Sequence, residues 1–123
     1  MKVTRIHHAS VNAAGDLDSA VRFYRDVLGL EAAPRPEIPG VPGAWFTAGG
    51  GQVHVIGAPP LGDGIDPVGN HYCLAVDDLE GAIVELDTAG IAYLRGVQQD
   101  PGGAVSQIWV TDPAGNTIEL QQG

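Results

Sequence analysis

Cys73 is the only cysteine among 123 residues, so no internal disulfide can form and nothing points to an oxidising compartment. Basic side chains are scarce too: 6 lysines and arginines stand against 15 aspartates and glutamates, a formal charge of −9. So negative a surface repels phosphate backbones and anionic lipid, which argues against nucleic-acid and membrane partners. No apolar run approaches the roughly 20 residues that a membrane span needs. The opening Met1-Lys2-Val3-Thr4-Arg5 turns polar without the apolar stretch of a secretion signal, so a cytoplasmic home is expected. In contrast, glycine (18) and proline (9) are abundant, which predicts many turns rather than long helices. A hydrophobic share of 44% is enough for a core and argues against disorder.

The order of elements repeats. Residues 3–11 read as a strand, with Ile6, His8 and Ser10 on one face and Ala9 and Val11 on the other. A helix capped by Asp16 or Asp18 then runs to Leu28, with Leu17, Ala20, Val21, Tyr24, Val27 and Leu28 inward and Gly29 ending it. Short strands are predicted at 30–33, 44–48 and 52–56, the last two joined by Gly49-Gly50-Gly51. The Pro- and Gly-rich residues 58–69 read as a linker. Beyond it comes a strand at 71–76, a helix capped by Asp77 or Asp78 and closed by Gly90, and strands at 91–94, 105–110 and 117–121, with a turn at 112–116. The chain is thus β-α-β-β-β written twice: module 1–57, linker 58–69 and module 70–123, one domain in all. Each half is too small to bury much alone, so the two are expected to share a sheet.

His8 and His71 lie in the first strand of each half, His54 and Glu119 in the last. In each case the flanking apolar residues fall on the other phase of the strand, so the four polar side chains should face away from the helices. A pseudo-twofold relation between halves would bring them together in a sheet-lined cup. Three imidazoles and a carboxylate suit one divalent ion of zinc, nickel, iron, manganese or cobalt. His8, His71 and Glu119 alone would form a two-histidine, one-carboxylate set, with His54 a fourth ligand or a neighbour of the substrate. A buried carboxylate among apolar strands is costly without a cation; the alternative is a polar-walled cup without metal.

Trp45, Phe46 and Trp109 either wall a substrate pocket or serve packing and dimer contacts. Residues 34–43 form a lid or a plain surface connection. Cys73 reads as a small core residue, and His7, out of phase with His8, should face away. Arg5, Arg22, Arg35 and Arg95 are candidate anion contacts, most of them simply solvated.

The string Ile6-His7-His8-Ala9-Ser10-Val11, the segment from Asp16 to Leu30 containing Phe23-Tyr24-Arg25-Asp26-Val27-Leu28-Gly29, and the closing Asp112-Pro113-Ala114-Gly115-Asn116-Thr117-Ile118-Glu119-Leu120 resemble the vicinal oxygen chelate superfamily. Its members include glyoxalase I, methylmalonyl-CoA epimerase, extradiol dioxygenases, fosfomycin-resistance transferases and bleomycin-resistance proteins. The resemblance implies an α+β, glyoxalase-like fold, in which two βαβββ modules form an open cup-shaped β-barrel. It places His8, His54, His71 and Glu119 at the family's four metal positions and implies a homodimer. Where glyoxalase I commonly carries Glu and the epimerases Gln, this chain carries His54. The expected function is a metal-dependent glyoxalase-type lyase or isomerase acting on a small oxygenated metabolite, with Glu119 both ligand and general base. A ring-cleaving, extradiol-type dioxygenase is the second reading. A metal-free protein that sequesters a flat small molecule between Trp45 and Trp109, as in bleomycin resistance, is the third.

Overall fold

The computed structural model describes residues 1–13, 15–59, 64–100, 102–111 and 117–123. The turn expected at 112–116 and residues 60–63 of the linker lie outside the described residues. Strand β1 (Val3–Asn12) leads into helix α1 (Leu17–Arg22), which continues as a π-helical turn, Phe23–Val27. Strands β2 (Glu31–Ala33), β3 (Gly43–Ala48) and β4 (Gly51–Ile56) complete the first half. The second half repeats the order: β5 (His71–Val76), α2 (Leu79–Ala89), β6 (Leu94–Asp100), β7 (Gly103–Thr111) and β8 (Thr117–Gln122). Local chemistry sets the helix ends. The Asp16 and Asp78 carboxylates accept from the Ser19 and Gly81 amides at 3.1 and 2.9 Å, satisfying N–H groups that a first turn leaves unpaired. Gly90, at φ 69°, supplies the left-handed residue that stops α2.

All eight strands form one sheet in the order β2-β3-β4-β1-β5-β8-β7-β6. At its centre β1 and β5 run antiparallel, and the register carries the twofold relation: His8 faces Cys73 while Ser10 faces His71. Outward on each side the pairing repeats. His54 of β4 lies opposite Ser10 and Glu119 of β8 opposite Cys73, while Trp45 and Trp109 lie opposite His54 and Glu119. The sheet curls until residues of the 34–36 loop and of the β6–β7 hairpin line one shared hollow. Among the described residues, no helix is long and apolar enough to cross a membrane.

Side-chain alternation divides the sheet. On the helix face Val76, Ile108 and Leu120 pack with Leu79, Ile83 and Leu86 of α2, joined by Leu74, Val110 and Ile118. The other phase of β7 and β8, namely Val105, Gln107, Trp109, Glu119 and Gln121, lines the cup.

Three expectations need correction. Val27 and Leu28 do not point inward but are 68% and 52% exposed. The π-helical turn, closed by the Leu28 amide on the Phe23 carbonyl at 3.1 Å, inserts a residue into the helical repeat and swings them off the face that Leu17, Ala20, Val21 and Tyr24 half-bury. The strand expected at 91–94 begins instead at Leu94, because the Ile91 amide bonds back to Leu86 at 3.0 Å and keeps that segment in the helix exit. Ile6 does not share the His8 face: the β1–β5 register shifts between Ile6 and His8, and Ile6 is 65% exposed.

These placements separate two truncations. Leu86→Ala should cost about 2–5 kcal/mol in urea unfolding, as a core leucine does. Val27→Ala, at an exposed site, should stay within about 0.5 kcal/mol. Equal losses would place Val27 in the core.

Candidate metal centre and its cup

The cup encloses about 470 Å³ and takes its walls from both halves, with His8, Trp45 and His54 from the first and His71, Trp109 and Glu119 from the second. Glu119 lies at its base, 2% exposed. Its Oε2 meets His8 Nε2 at 3.0 Å and His71 Nε2 at 3.1 Å. Its Oε1 accepts from the side-chain amides of Gln107 at 2.9 Å and Gln121 at 2.8 Å. Ligand atoms of His8, His71 and Glu119 all lie within 4.8 Å of one another.

The donor set can be tested against a cation through its protons. Nδ1 of His71 is 2.8 Å from the carbonyl of Gly69, which can only accept, so Nδ1 carries the hydrogen. A neutral His71 therefore turns the Nε2 lone pair toward the carboxylate oxygen 3.1 Å away, and two lone pairs that close repel unless a positive charge lies between them. A second proton on the ring or a divalent ion answers that need. His8 has the same freedom, since its Nδ1 is 2.9 Å from Nδ1 of His7, and either ring can donate. Two imidazoles and a carboxylate, one imidazole oriented by a backbone carbonyl, fit a divalent transition metal.

His54 belongs to the same cluster of rings, stacked on His8 at 3.8 Å and on Trp45 at 4.1 Å. Its Nε2 is engaged with Gln52 Oε1 at 2.8 Å, and it does not join the group formed by the other three. Trp45 and Trp109 line the cup; Phe46 does not. The neighbour of Trp45 in a strand, Phe46 faces the other way, 2% exposed and stacked on Tyr24 at 6.0 Å. His7, expected to face away, lines the cup instead, because the shift in β1 register between Ile6 and His8 breaks strict alternation. Cys73 is fully buried, and burial with the nearby Glu119 charge pushes its thiol far above the usual range, so it stays protonated.

Sequence reasoning overlooked Gln52, Gln107 and Gln121, which hold His54 and Glu119. A signal was present: each sits two residues from a cup-facing residue, the spacing that puts neighbours on one face of a strand.

Comparison with known proteins places the chain by family and by fold. The family model of the glyoxalase/bleomycin resistance protein/dioxygenase superfamily matches residues 5–120. A protein of Arabidopsis thaliana named glyoxylase I 4 is 30% identical over 98% of this chain and 71% of its own length. The mitochondrial methylmalonyl-CoA epimerase of Mus musculus is 30% identical over 98% of this chain and 74% of its own. Among solved structures, methylmalonyl-CoA epimerase from Mycobacterium tuberculosis superposes with a TM-score of 0.75 at 21% identity, covering 98% of this chain and 88% of that one.

Two groups in the centre make stability depend on acid. Burial and the neighbouring His8 charge hold His54 neutral, its pKa lowered from 6.5 to about 2. Burial alone would raise Glu119, but the polar contacts with His71 and His8, the His8 charge and the Gln121 amide outweigh it and hold the carboxyl well below 4.5. In both cases the unfolded chain takes up protons that the folded one refuses, so stability falls as the pH drops below about 6.5. In metal-free protein, His54→Gln should remove the upper part of that fall, between about pH 6.5 and 4.5, worth up to roughly 1 kcal/mol per pH unit. Urea titrations across that range check it; an unchanged slope would contradict the neutral His54.

Proposed function

The chain belongs to the glyoxalase/bleomycin resistance protein/dioxygenase superfamily, and from that premise we propose a metal-dependent lyase, isomerase or epimerase that moves a proton on a carbon beside a carbonyl of a small oxygenated metabolite. The observation that carries this reading is the meeting of two imidazole nitrogens on one buried carboxylate oxygen, at 3.0 and 3.1 Å, at the base of a cup large enough for a small molecule.

In this reading His8, His71 and Glu119 hold one divalent ion, of zinc, nickel, iron, manganese or cobalt, and His54, engaged by Gln52, stands beside them as a neighbour of the substrate. The ion, when bound, supplies a positive charge that polarises a carbonyl oxygen. The chain's own groups do the rest. The Gly69 carbonyl fixes the His71 tautomer. Gln107 and Gln121 hold Oε1 of Glu119 and keep the carboxyl ionised, so that Oε2 is placed to accept the proton. Trp45 and Trp109 wall the cup and narrow its access to water. The same reading takes residues 1–57 and 70–123 as modules of one domain joined by 58–69, and the chain as a homodimer.

Protein purified without chelators should carry about one ion per chain by elemental analysis. Glu119→Gln and His8→Ala, each removing a direct ligand, should weaken zinc binding by at least about 100-fold, the upper end of what losing an outer-shell partner costs, while the far-ultraviolet circular dichroism is kept. Metal-loaded protein in deuterated water should wash deuterium into the carbon beside the carbonyl of thiol adducts of 2-oxoaldehydes or of 2-methyl thioesters. Metal content unchanged in both variants would overturn the site. Oxygen uptake with a catechol and no wash-in would favour the ring-cleaving reading. A metal-free preparation that still binds flat ligands would favour sequestration.

A further inference from the structure

Among the described residues, Arg35 is the one arginine or lysine in the cup wall. It sits in the loop between β2 and β3, half-buried, and is fixed at one end by a 2.7 Å hydrogen bond from Nη2 to the Val41 carbonyl. Gly43 leaves the space it occupies: a β-carbon there would stand 3.1 Å from the guanidinium and 2.4 Å from the Val55 carbonyl. Other arginines are neutralised on the surface, Arg25 by Asp26 and Arg95 by Glu80. Among the described residues, Arg35 has no carboxylate within ion-pair distance, and its Nε is buried without a hydrogen-bond partner.

That orphan has company. Among the described residues, four buried side-chain polar atoms lack a partner, on Ser10, Asn12, Arg35 and Trp109, and three of those residues line the cup. Those orphaned atoms are themselves sealed from solvent, so what the cup offers a ligand is the outer edge of the guanidinium: among the described residues nothing engages Nη1, while Nη2 gives one hydrogen to Val41. On a chain of net charge −9, which repels anions at long range, an unpaired cation facing a cavity is all the more pointed.

We propose that Arg35 determines specificity by receiving a carboxylate at the far end of the substrate from the oxygens that meet the His8–His71–Glu119 group. A planar guanidinium with free N–H groups matches a carboxylate with two parallel hydrogen bonds. The register sets the span. Arg35 lies beside Gly43, four residues along β3 from Thr47, the level of His8, and two strands away from β1, so strand spacing puts the two backbone positions roughly 16 Å apart, a gap that the side chains of both ends shorten. The substrate is thus an acid whose carboxylate is several bonds removed from its reacting oxygens. Burial also holds the guanidinium below its ordinary pKa, a cost that an arriving anion offsets. The inference deepens the proposed function and rests on it for the position of the reacting end alone.

The test uses the full chain loaded with zinc and a matched pair of probes, 3-(3,4-dihydroxyphenyl)propionate and its neutral amide, titrated by calorimetry. The wild type should bind the acid about tenfold or more tightly than the amide. Arg35→Met should bring that ratio to within about twofold of one while leaving the amide affinity unchanged, and Arg35→Lys should keep part of the preference. A ratio near one in the wild type, a full preference retained in Arg35→Met, or binding of neither probe would overturn the inference. The same titration on Glu119→Gln separates it from the metal reading. An acid preference that persists there, and still vanishes when Arg35→Met is added, supports Arg35 whether or not zinc is held.

Discussion

Oε2 of Glu119 is the atom on which the second half of the molecule meets the first. A carboxylate with 2% of its residue surface exposed is stable only if every lone pair finds a positive partner. Here Oε1 is held by two glutamine amides from its own half, while Oε2 faces one imidazole from β1 and one from β5. Each partner comes from a different strand position, so the polar centre constrains the register of β1, β5, β7 and β8 together. Remove the carboxylate and two imidazoles and two amides lose their common acceptor; remove an imidazole and the carboxylate is left undersatisfied in a low-dielectric site.

The arrangement follows from duplication more than from any single motif. Because β1 and β5 pair about a local twofold, with His8 opposite Cys73 and Ser10 opposite His71, equivalent residues of the halves approach one another at the sheet centre. The parallel partners β4 and β8 then bring His54 and Glu119 to equivalent places. Symmetry of backbone does not require symmetry of chemistry. The first half places a neutral imidazole, stacked between Trp45 and His8, where the second places the acid. Aromatic flanks are retained on both sides, with Trp45 opposite His54 and Trp109 opposite Glu119. The helix-facing phase of the same strands carries the core, so one alternating pattern supplies both stability and site.

Much of this was legible in the sequence because it rests on period-two alternation and on caps. The facing of His54 and Glu119 follows from their apolar neighbours Val53, Val55, Ile118 and Leu120, and the ends of α2 follow from Asp78 and Gly90. What escaped depends on departures from regular geometry that no propensity records. A register shift in β1 brought His7 into the cup and put Ile6 outside. A π-helical turn moved Val27 and Leu28 to the surface. β6, whose Leu94-Arg95-Gly96-Val97-Gln98-Gln99 carries little apolar alternation, takes its position from pairing with β7 rather than from its own pattern. Phe46 was grouped with Trp45 by adjacency, although adjacent strand residues face opposite ways.

Anomalous X-ray scattering from crystals grown with zinc, cobalt or nickel, recorded at the absorption edge of the metal, tests the central claim most directly. The account predicts a single strong peak at bonding distance, about 2.0–2.2 Å, from Nε2 of His8, Nε2 of His71 and a Glu119 carboxylate oxygen. A cup without a peak would contradict it, as would a peak held by His7, His8 and Cys73, whose ligand atoms also lie within 4.8 Å of one another.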